Sequence, residues 1–115
     1  DADARVALEV ADVAGWRRDR VPHRPQGRPI RTRPDWVCEI LSSSTASRDT
    51  VQKYRTLHRC GVPHYWVVDP DHETLTVHRW HADGYLVALV ATTGETVRAE
   101  PFETIDLRIG LLFGQ

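Results

Sequence analysis

The stretch Trp36-Val37-Cys38-Glu39-Ile40-Leu41 (residues 36–41) predicts the central strand of this 115-residue chain. Its apolar residues include the β-branched and aromatic types that favour buried strands. Glu39 interrupts the pattern, and acidic side chains are almost never buried without a partner or a metal ion. Two interpretations of Glu39 remain open at this point: a functional acid within the strand, or an acid that faces solvent at an edge of the sheet.

The residues around this strand predict one helix and several more strands. A helix is expected over residues 49–60, where apolar side chains recur at helical spacing and Gly61 and Pro63 follow as stop signals. Alternating or continuous apolar residues predict the other strands. These strands cover residues 5–14, 64–68, 74–80 and 85–92. Residues 105–113 are expected to form a strand or a short helix.

The proline-rich segment 17–34 is expected to be a long surface loop between the first two strands, because its prolines and glycine disfavour a regular element. The order strand, loop, strand, helix, strand and antiparallel meander is typical of an α/β (α+β) domain with a mixed sheet. The length suits a single domain over residues 1–115.

The composition argues against several classes of protein. With 15 basic and 16 acidic residues and a net charge of -1, the chain is neither a uniformly basic nucleic-acid coat nor a highly charged disordered tail. No apolar run approaches the roughly 18 residues that span a bilayer, so no membrane partner is expected. Two cysteines are too few for a disulfide scaffold and fit a cytoplasmic location. The absence of methionine predicts a processed chain or a piece of a longer one.

Asp12 is the first acid that could act with Glu39. It lies at the end of the predicted strand 5–14 and would approach Glu39 if that strand pairs with residues 36–42 through the long loop. Two converging carboxylates repel each other unless a cation joins them. A hard divalent ion is the natural occupant, most simply Mg²⁺, with Mn²⁺ possible. The alternative for Asp12 is a turn-forming residue before Gly15.

Asp35 is a second candidate acid, on the same predicted face of the strand as Glu39. At about 3.3 Å per residue the two would stand about 13 Å apart, too far to bind one ion directly. Asp35 could serve a second position, orient a water molecule, or only cap the start of the strand.

Lys53, on the predicted helix, is the only lysine among the 15 basic residues. A lysine near a metal-bound water could position that water or stabilise charge on a phosphate. The alternative is an exposed pair with Asp49, one helical turn away. Since the chain uses arginine for every other cation, a surface pair would more simply be Asp–Arg, which favours a special role for a compact lysine charge.

The basic residues concentrate near the front of the chain. Seven arginines stand between positions 16 and 33 with a single acid, Asp19, whereas eight acids and three arginines follow from Asp69 onward. Such a stretch could bind a DNA backbone, or it could be a solvated loop. The candidate DNA-binding residues are Arg17, Arg18, Arg20, Arg24, Arg28, Arg31 and Arg33.

A combination of motifs in this chain resembles the Uma family of restriction-endonuclease-like proteins, in the PD-(D/E)XK nuclease superfamily. The resemblance extends from about Val10 to Phe113. The matching residues are Pro34 to Ser42, Ser44, Thr45, Asp49, Lys53, Tyr54 and Gly61 to Pro70. It implies a restriction-endonuclease-like core, a central mixed sheet flanked by helices, and a Mg²⁺-dependent enzyme that cleaves DNA.

The resemblance also assigns roles to individual residues. Asp12 and Asp35 match the family's two Pro-Asp acids, Glu39 matches the acid of the (D/E)XK element, and Lys53 matches the helix lysine that replaces the usual lysine at Leu41. The implied catalytic set is Asp12, Asp35, Glu39 and Lys53, and the implied metal ligands are Asp12 and Glu39.

The chain departs from the family pattern at Ala11 and Ser43, where the family has proline. Family members also begin with a helix and a strand before the first acid, so the resemblance predicts a domain that lacks those elements here. Three functional hypotheses follow: a metal-dependent DNA endonuclease, an inactive binding or assembly module with the same fold, and a fragment completed by another chain, for example in a homodimer.

Overall fold

A computed structural model describes residues 12–23, 25, 32–42 and 47–115. Within them, one α-helix and seven strands are defined, followed by a 3₁₀ helix at Ile109–Phe113. The strands are β1 Val13–Gly15, β2 Trp36–Ile40, β3 His64–Asp69, β4 Thr74–Arg79, β5 Leu86–Thr92, β6 Thr96–Val97 and β7 Leu107–Arg108. The helix, α1, spans Ser47–Arg59.

The first five strands form one mixed sheet in the order β1-β2-β3-β4-β5. Only β2 and β3 run parallel, and the other neighbours are antiparallel. Parallel neighbours require a crossover connection, and α1 supplies it between β2 and β3. The mixed α/β architecture expected from the sequence is therefore confirmed.

Side chains of β2 and β3 alternate between two apolar layers, as the period of a strand requires. Val37 and Tyr65 point to the layer that includes Leu57 of α1. Cys38 and Trp66 point to the opposite layer, which β4, β5 and the 3₁₀ helix complete. Glu39 alternates with Cys38 and so faces the α1 side of the sheet.

The predicted elements are found with small shifts of their ends. The helix begins two residues earlier than expected, and the last strand of the meander begins at Leu86. The predicted strand at residues 5–14 is described only from residue 12, and its earlier part lies outside the described residues. The segment 105–113 contains both alternatives, since the short β7 leads into the 3₁₀ helix. Among the helices of the described residues, none has the length and apolar character needed to cross a membrane.

Candidate active site

Asp12 and Glu39 are brought together by the pairing of β1 with β2. Val13 lies opposite Cys38 in this antiparallel ladder, so Asp12, one residue earlier, lies beside Glu39. The Asp12 carboxylate accepts a hydrogen bond of 2.7 Å from the backbone N–H of Ile40. The predicted hairpin through the long loop is confirmed, and it places two carboxylates at one end of β2.

The Glu39 carboxylate is buried, with only 3% of the residue exposed. Its Oε1 accepts a hydrogen bond from Lys53 Nζ. Its Oε2 is also buried and has no hydrogen-bond partner in the described part of the chain. Burial raises the pKa of the Glu39 carboxyl, and the nearby Asp12 charge raises it further, while the hydrogen bond and charge of Lys53 oppose the shift.

Lys53 reaches this acid from α1, which packs over the same face of the sheet. The side chain of Lys53 is 21% exposed, whereas that of Glu39 is 4% exposed. The ammonium therefore lies at the boundary between the buried carboxylate and solvent. A lysine placed in this way can pair with the acid and also face a ligand that arrives from solvent.

Asp35 is buried as deeply as Glu39, but its partners are different. Its carboxylate accepts hydrogen bonds from the backbone N–H of Arg17 at 2.8 Å and from Arg20 Nε at 3.0 and 3.1 Å. Arg33 adds an ion pair at 3.6 Å. The structure therefore joins Asp35 to the loop that follows β1, about 13 Å along the strand from Glu39.

The described arginines of the candidate DNA-binding set are partly used within the protein. Arg20 and Arg33 pair with Asp35, and Arg17 pairs with Asp19 at 3.3 Å. Arg18 is exposed. The other three candidates, Arg24, Arg28 and Arg31, lie outside the described residues.

The donor set at Glu39 fits a hard divalent cation. Carboxylate oxygens are the ligands that Mg²⁺ prefers, and Glu39 Oε2 is a buried acceptor that lacks a partner among the described residues. The same residues include no group of three or more His, Cys, Asp and Glu side chains arranged to hold a metal ion. Mg²⁺ is usually bound by one or two carboxylates together with waters and substrate phosphates, so a pair of carboxylates such as Asp12 and Glu39 would suffice to hold it.

A second feature, which the sequence did not predict, lies at the opposite end of β2. A cavity of about 320 Å³ lies there, with Trp16, Trp36 and Phe102 among its lining residues. These aromatic residues are far apart in the chain, and no local motif links them. Only the Arg-rich composition beside Trp16 pointed to this region.

A family model matches nearly the whole chain. The sequence model of Uma2, described as "Putative restriction endonuclease", matches residues 3–110. The chain belongs to the Uma2 family. The resemblance found in the sequence is thereby confirmed over nearly the whole chain.

A solved structure resembles this Uma2 protein in fold. It is the crystal structure of a "putative nuclease belonging to DUF820" from Anabaena variabilis ATCC 29413, with a TM-score of 0.54 and 27% sequence identity. The match covers 70% of this chain and 44% of the Anabaena chain. No curated protein matches the sequence. Family and neighbour together support a nuclease-like protein.

Proposed function

We propose that this Uma2 protein is a Mg²⁺-dependent DNA endonuclease of the PD-(D/E)XK type. The observation that carries the proposal is Glu39, a buried acid with an unpartnered oxygen among the described residues, beside a second carboxylate and a lysine. A buried acid with a raised pKa and a specific charge partner is a candidate functional group. The nuclease-like family and neighbour supply the reaction class.

The metal ligands in this proposal are the carboxylates of Asp12 and Glu39. Bound Mg²⁺, or Mn²⁺ in its place, would polarise the phosphate and lower the pKa of a coordinated water. The hydrogen bond from Ile40 N–H orients the Asp12 carboxylate. Burial of Glu39 withholds water from its side chain, which strengthens its attraction for a cation.

Lys53 supplies the positive charge of the proposed site. In hydrolysis, the oxygen of a water bonds to phosphorus while the bond to the leaving oxygen breaks, and negative charge builds up on the phosphate. An ammonium at the solvent boundary of the site can hold that water or stabilise this charge. Asp35 is bound by Arg17, Arg20 and Arg33, so its contribution to catalysis would be to position the loop after β1.

A binding or assembly module without turnover is the second candidate. Two observations favour it: only two carboxylates meet at Glu39 within the described residues, and two of the described arginines use their charge on Asp35. Such a module would retain DNA or protein contacts but have no need for a metal.

A cleavage assay tests the enzyme directly. The wild-type protein should cut DNA in Mg²⁺ or Mn²⁺ and not in EDTA, and Glu39→Gln should lower the rate by about 1,000-fold, since it removes a charged metal ligand. Asp83→Asn is the matched control, because Asp83 is an exposed acid on a turn. A Glu39→Gln protein that cuts DNA at the wild-type rate would refute the assignment.

Calorimetric titration with Mg²⁺ separates the two candidates without a substrate. If the protein is the proposed endonuclease, wild type and Asp83→Asn should release or absorb heat on binding Mg²⁺, and Glu39→Gln should show no heat of binding. Wild-type protein that binds neither Mg²⁺ nor Mn²⁺ and cuts no DNA would favour the module.

A further inference from the structure

The aromatic cavity at the start of β2 has the size and the lining of a ligand site. Its volume of about 320 Å³ falls within the range of small-molecule pockets. Trp36 and Phe102 meet edge to face, with ring centroids 5.2 Å apart. Trp16 is held in place by a hydrogen bond of 2.9 Å from its indole N–H to the carbonyl of Thr32. Fixed rings beside an open volume are suited to a flat aromatic ligand.

One wall of this cavity is held by Asp35. The backbone N–H of Asp35 donates to the carbonyl of Gly15, and the Asp35 carboxylate accepts from the backbone N–H of Arg17. The chain on either side of Trp16 is therefore tied to the beginning of β2. A Cβ added at Gly15 would come within 3.1 Å of the Trp36 ring, so glycine permits the close approach of this wall to the ring.

The opposite wall, formed by Pro101 and Phe102, is held by Glu100. Its carbonyl accepts a hydrogen bond of 2.7 Å from the Trp66 indole, and its carboxylate pairs with Arg79 and His64. Phe102 remains 38% exposed although a large apolar ring is costly to leave in water. A rigid support that presents an exposed ring is a preorganised binding surface.

The charge around the cavity is positive. Arg17 and Arg18 belong to the lining, together with Asp19 and Asp35. Arg17 neutralises Asp19, and Asp35 is paired with two further arginines. Four arginines thus face two aspartates, and the charge of Glu103 also acts on Arg17, which leaves a small excess of positive charge for an anionic ligand.

We propose that this cavity binds an unpaired nucleobase of a DNA strand, with the neighbouring phosphate at the Arg17–Arg18 rim. Bases stack on aromatic side chains with little sequence preference, and arginine accompanies them at the backbone. The cavity and the acids lie at the two ends of the edge strand β1, since Asp12 precedes it and Trp16 follows it. They lie on opposite faces of the described sheet, because Trp36 packs in the layer of Cys38 and Trp66 whereas Glu39 faces α1. β1 is about 10 Å long, so a DNA strand that passes around this edge can reach both. The inference rests on the proposed nuclease function and deepens it by adding a base-binding subsite.

Binding of a short fluorescently labelled single-stranded oligonucleotide, measured by anisotropy in EDTA, tests this subsite without cleavage. The paired probe is an abasic oligonucleotide of equal length, which keeps the phosphates and lacks the bases. Wild type should bind the normal strand about tenfold more tightly than the abasic one, as expected for one stacked base. Equal affinity for both strands, or no affinity for either, would overturn the inference.

Variants of Phe102 locate the contact. Phe102→Leu should lose about tenfold in affinity for the normal strand and leave the abasic strand unchanged, while Phe102→Tyr keeps the wild-type preference. Leu111→Ala is the control, since Leu111 is an exposed apolar residue of the 3₁₀ helix. Thermal unfolding verifies that each variant is folded. An equal loss on both strands in Phe102→Leu would contradict a base contact.

The outcome is separable from that of the cleavage proposal. Glu39→Gln should retain the preference for bases in EDTA, because Glu39 lies at the other end of β2. Preference for bases without any metal-dependent cleavage would refute the endonuclease and leave the subsite intact. Metal-dependent cleavage without any preference for bases would support the endonuclease and overturn the base-binding subsite.

Discussion

Asp35, which immediately precedes β2, and Glu39, which lies within it, are almost equally buried, at 4% and 3% exposure. Asp35 is surrounded by donors: a backbone N–H and two arginines. Glu39 has one lysine for one oxygen and, within the described residues, no partner for the other. The charge of Asp35 is thus fully compensated, whereas that of Glu39 is only partly compensated.

This contrast separates an acid that stabilises the fold from one that is available for chemistry. A buried charge contributes to a unique structure only when its hydrogen bonds are complete. An acid with a missing partner lowers stability, and proteins retain such groups mainly where a ligand completes them. We therefore expect replacement of Asp35 to affect mainly stability and replacement of Glu39 to affect mainly activity.

The largest effect on stability is expected at Asp35. Asp35→Ala should lower the free energy of unfolding by about 3 kcal/mol, because it leaves Arg20 and Arg33 without their buried partner. Asp19→Ala is the control, since the Asp19 pair is exposed and its loss should leave the stability nearly unchanged. Urea denaturation gives both values. If Glu39→Gln destabilised the protein as much as Asp35→Ala, the conclusion that Asp35 stabilises the fold more than Glu39 does would be wrong.

Replacement of Lys53 should give the next largest effect, which is on the rate of DNA cleavage. Lys53→Arg should reduce metal-dependent cleavage by about tenfold or more, because the planar guanidinium cannot reproduce a compact ammonium at Glu39. Arg55→Lys, on the exposed part of the same helix, is the reciprocal control and should be neutral. Normal cleavage by Lys53→Arg would mean that the solitary lysine of the sequence has no special role.

Local signals explain why much of the fold could be predicted. Gly61 and Pro63 mark the end of α1, and the alternation of side chains places Cys38 in the core and Glu39 on the other face. Pairing of the first two strands then brings Asp12 to Glu39. The helix end and the alternation depend on a spacing of a few residues, and the pairing joins two strands that are consecutive in the chain, so a single sequence displays all three.

Long-range choices could not be predicted in the same way. Seven arginines were candidates for one role, and nothing in their spacing identified Arg20 and Arg33 as partners of Asp35. These pairs depend on how the described ends of the loop meet in the fold. The cavity likewise depends on Phe102 arriving beside Trp36, through a support that centres on Glu100 and joins distant strands. Such contacts follow from tertiary packing, which carries no local periodicity.

The smallest expected effect is on the pH dependence of stability, where Glu39 can be compared with Glu100. Burial raises the pKa of Glu39, so the folded protein holds this proton more tightly than the unfolded chain. Its contribution to stability is therefore greatest below the usual pKa of 4.5 and declines as the pH rises through the raised value. The free energy of unfolding of Glu39→Gln, relative to that of the wild type, should therefore increase as the pH rises.

Glu100 should show the opposite slope. Hydrogen bonding to Arg79 lowers the pKa of Glu100, and the charges of Arg79 and His64 add to this shift. Its stabilisation is present above the usual pKa of 4.5 and is lost as the pH falls through the lowered value. Glu100→Gln should lower the free energy of unfolding by about 1 kcal/mol at neutral pH. The effect is modest because Arg79 is largely exposed. This loss of stability should disappear in acid. Urea denaturation between about pH 7 and about pH 3 measures both slopes, and slopes of the same sign would show that Glu39 is as well compensated as Glu100.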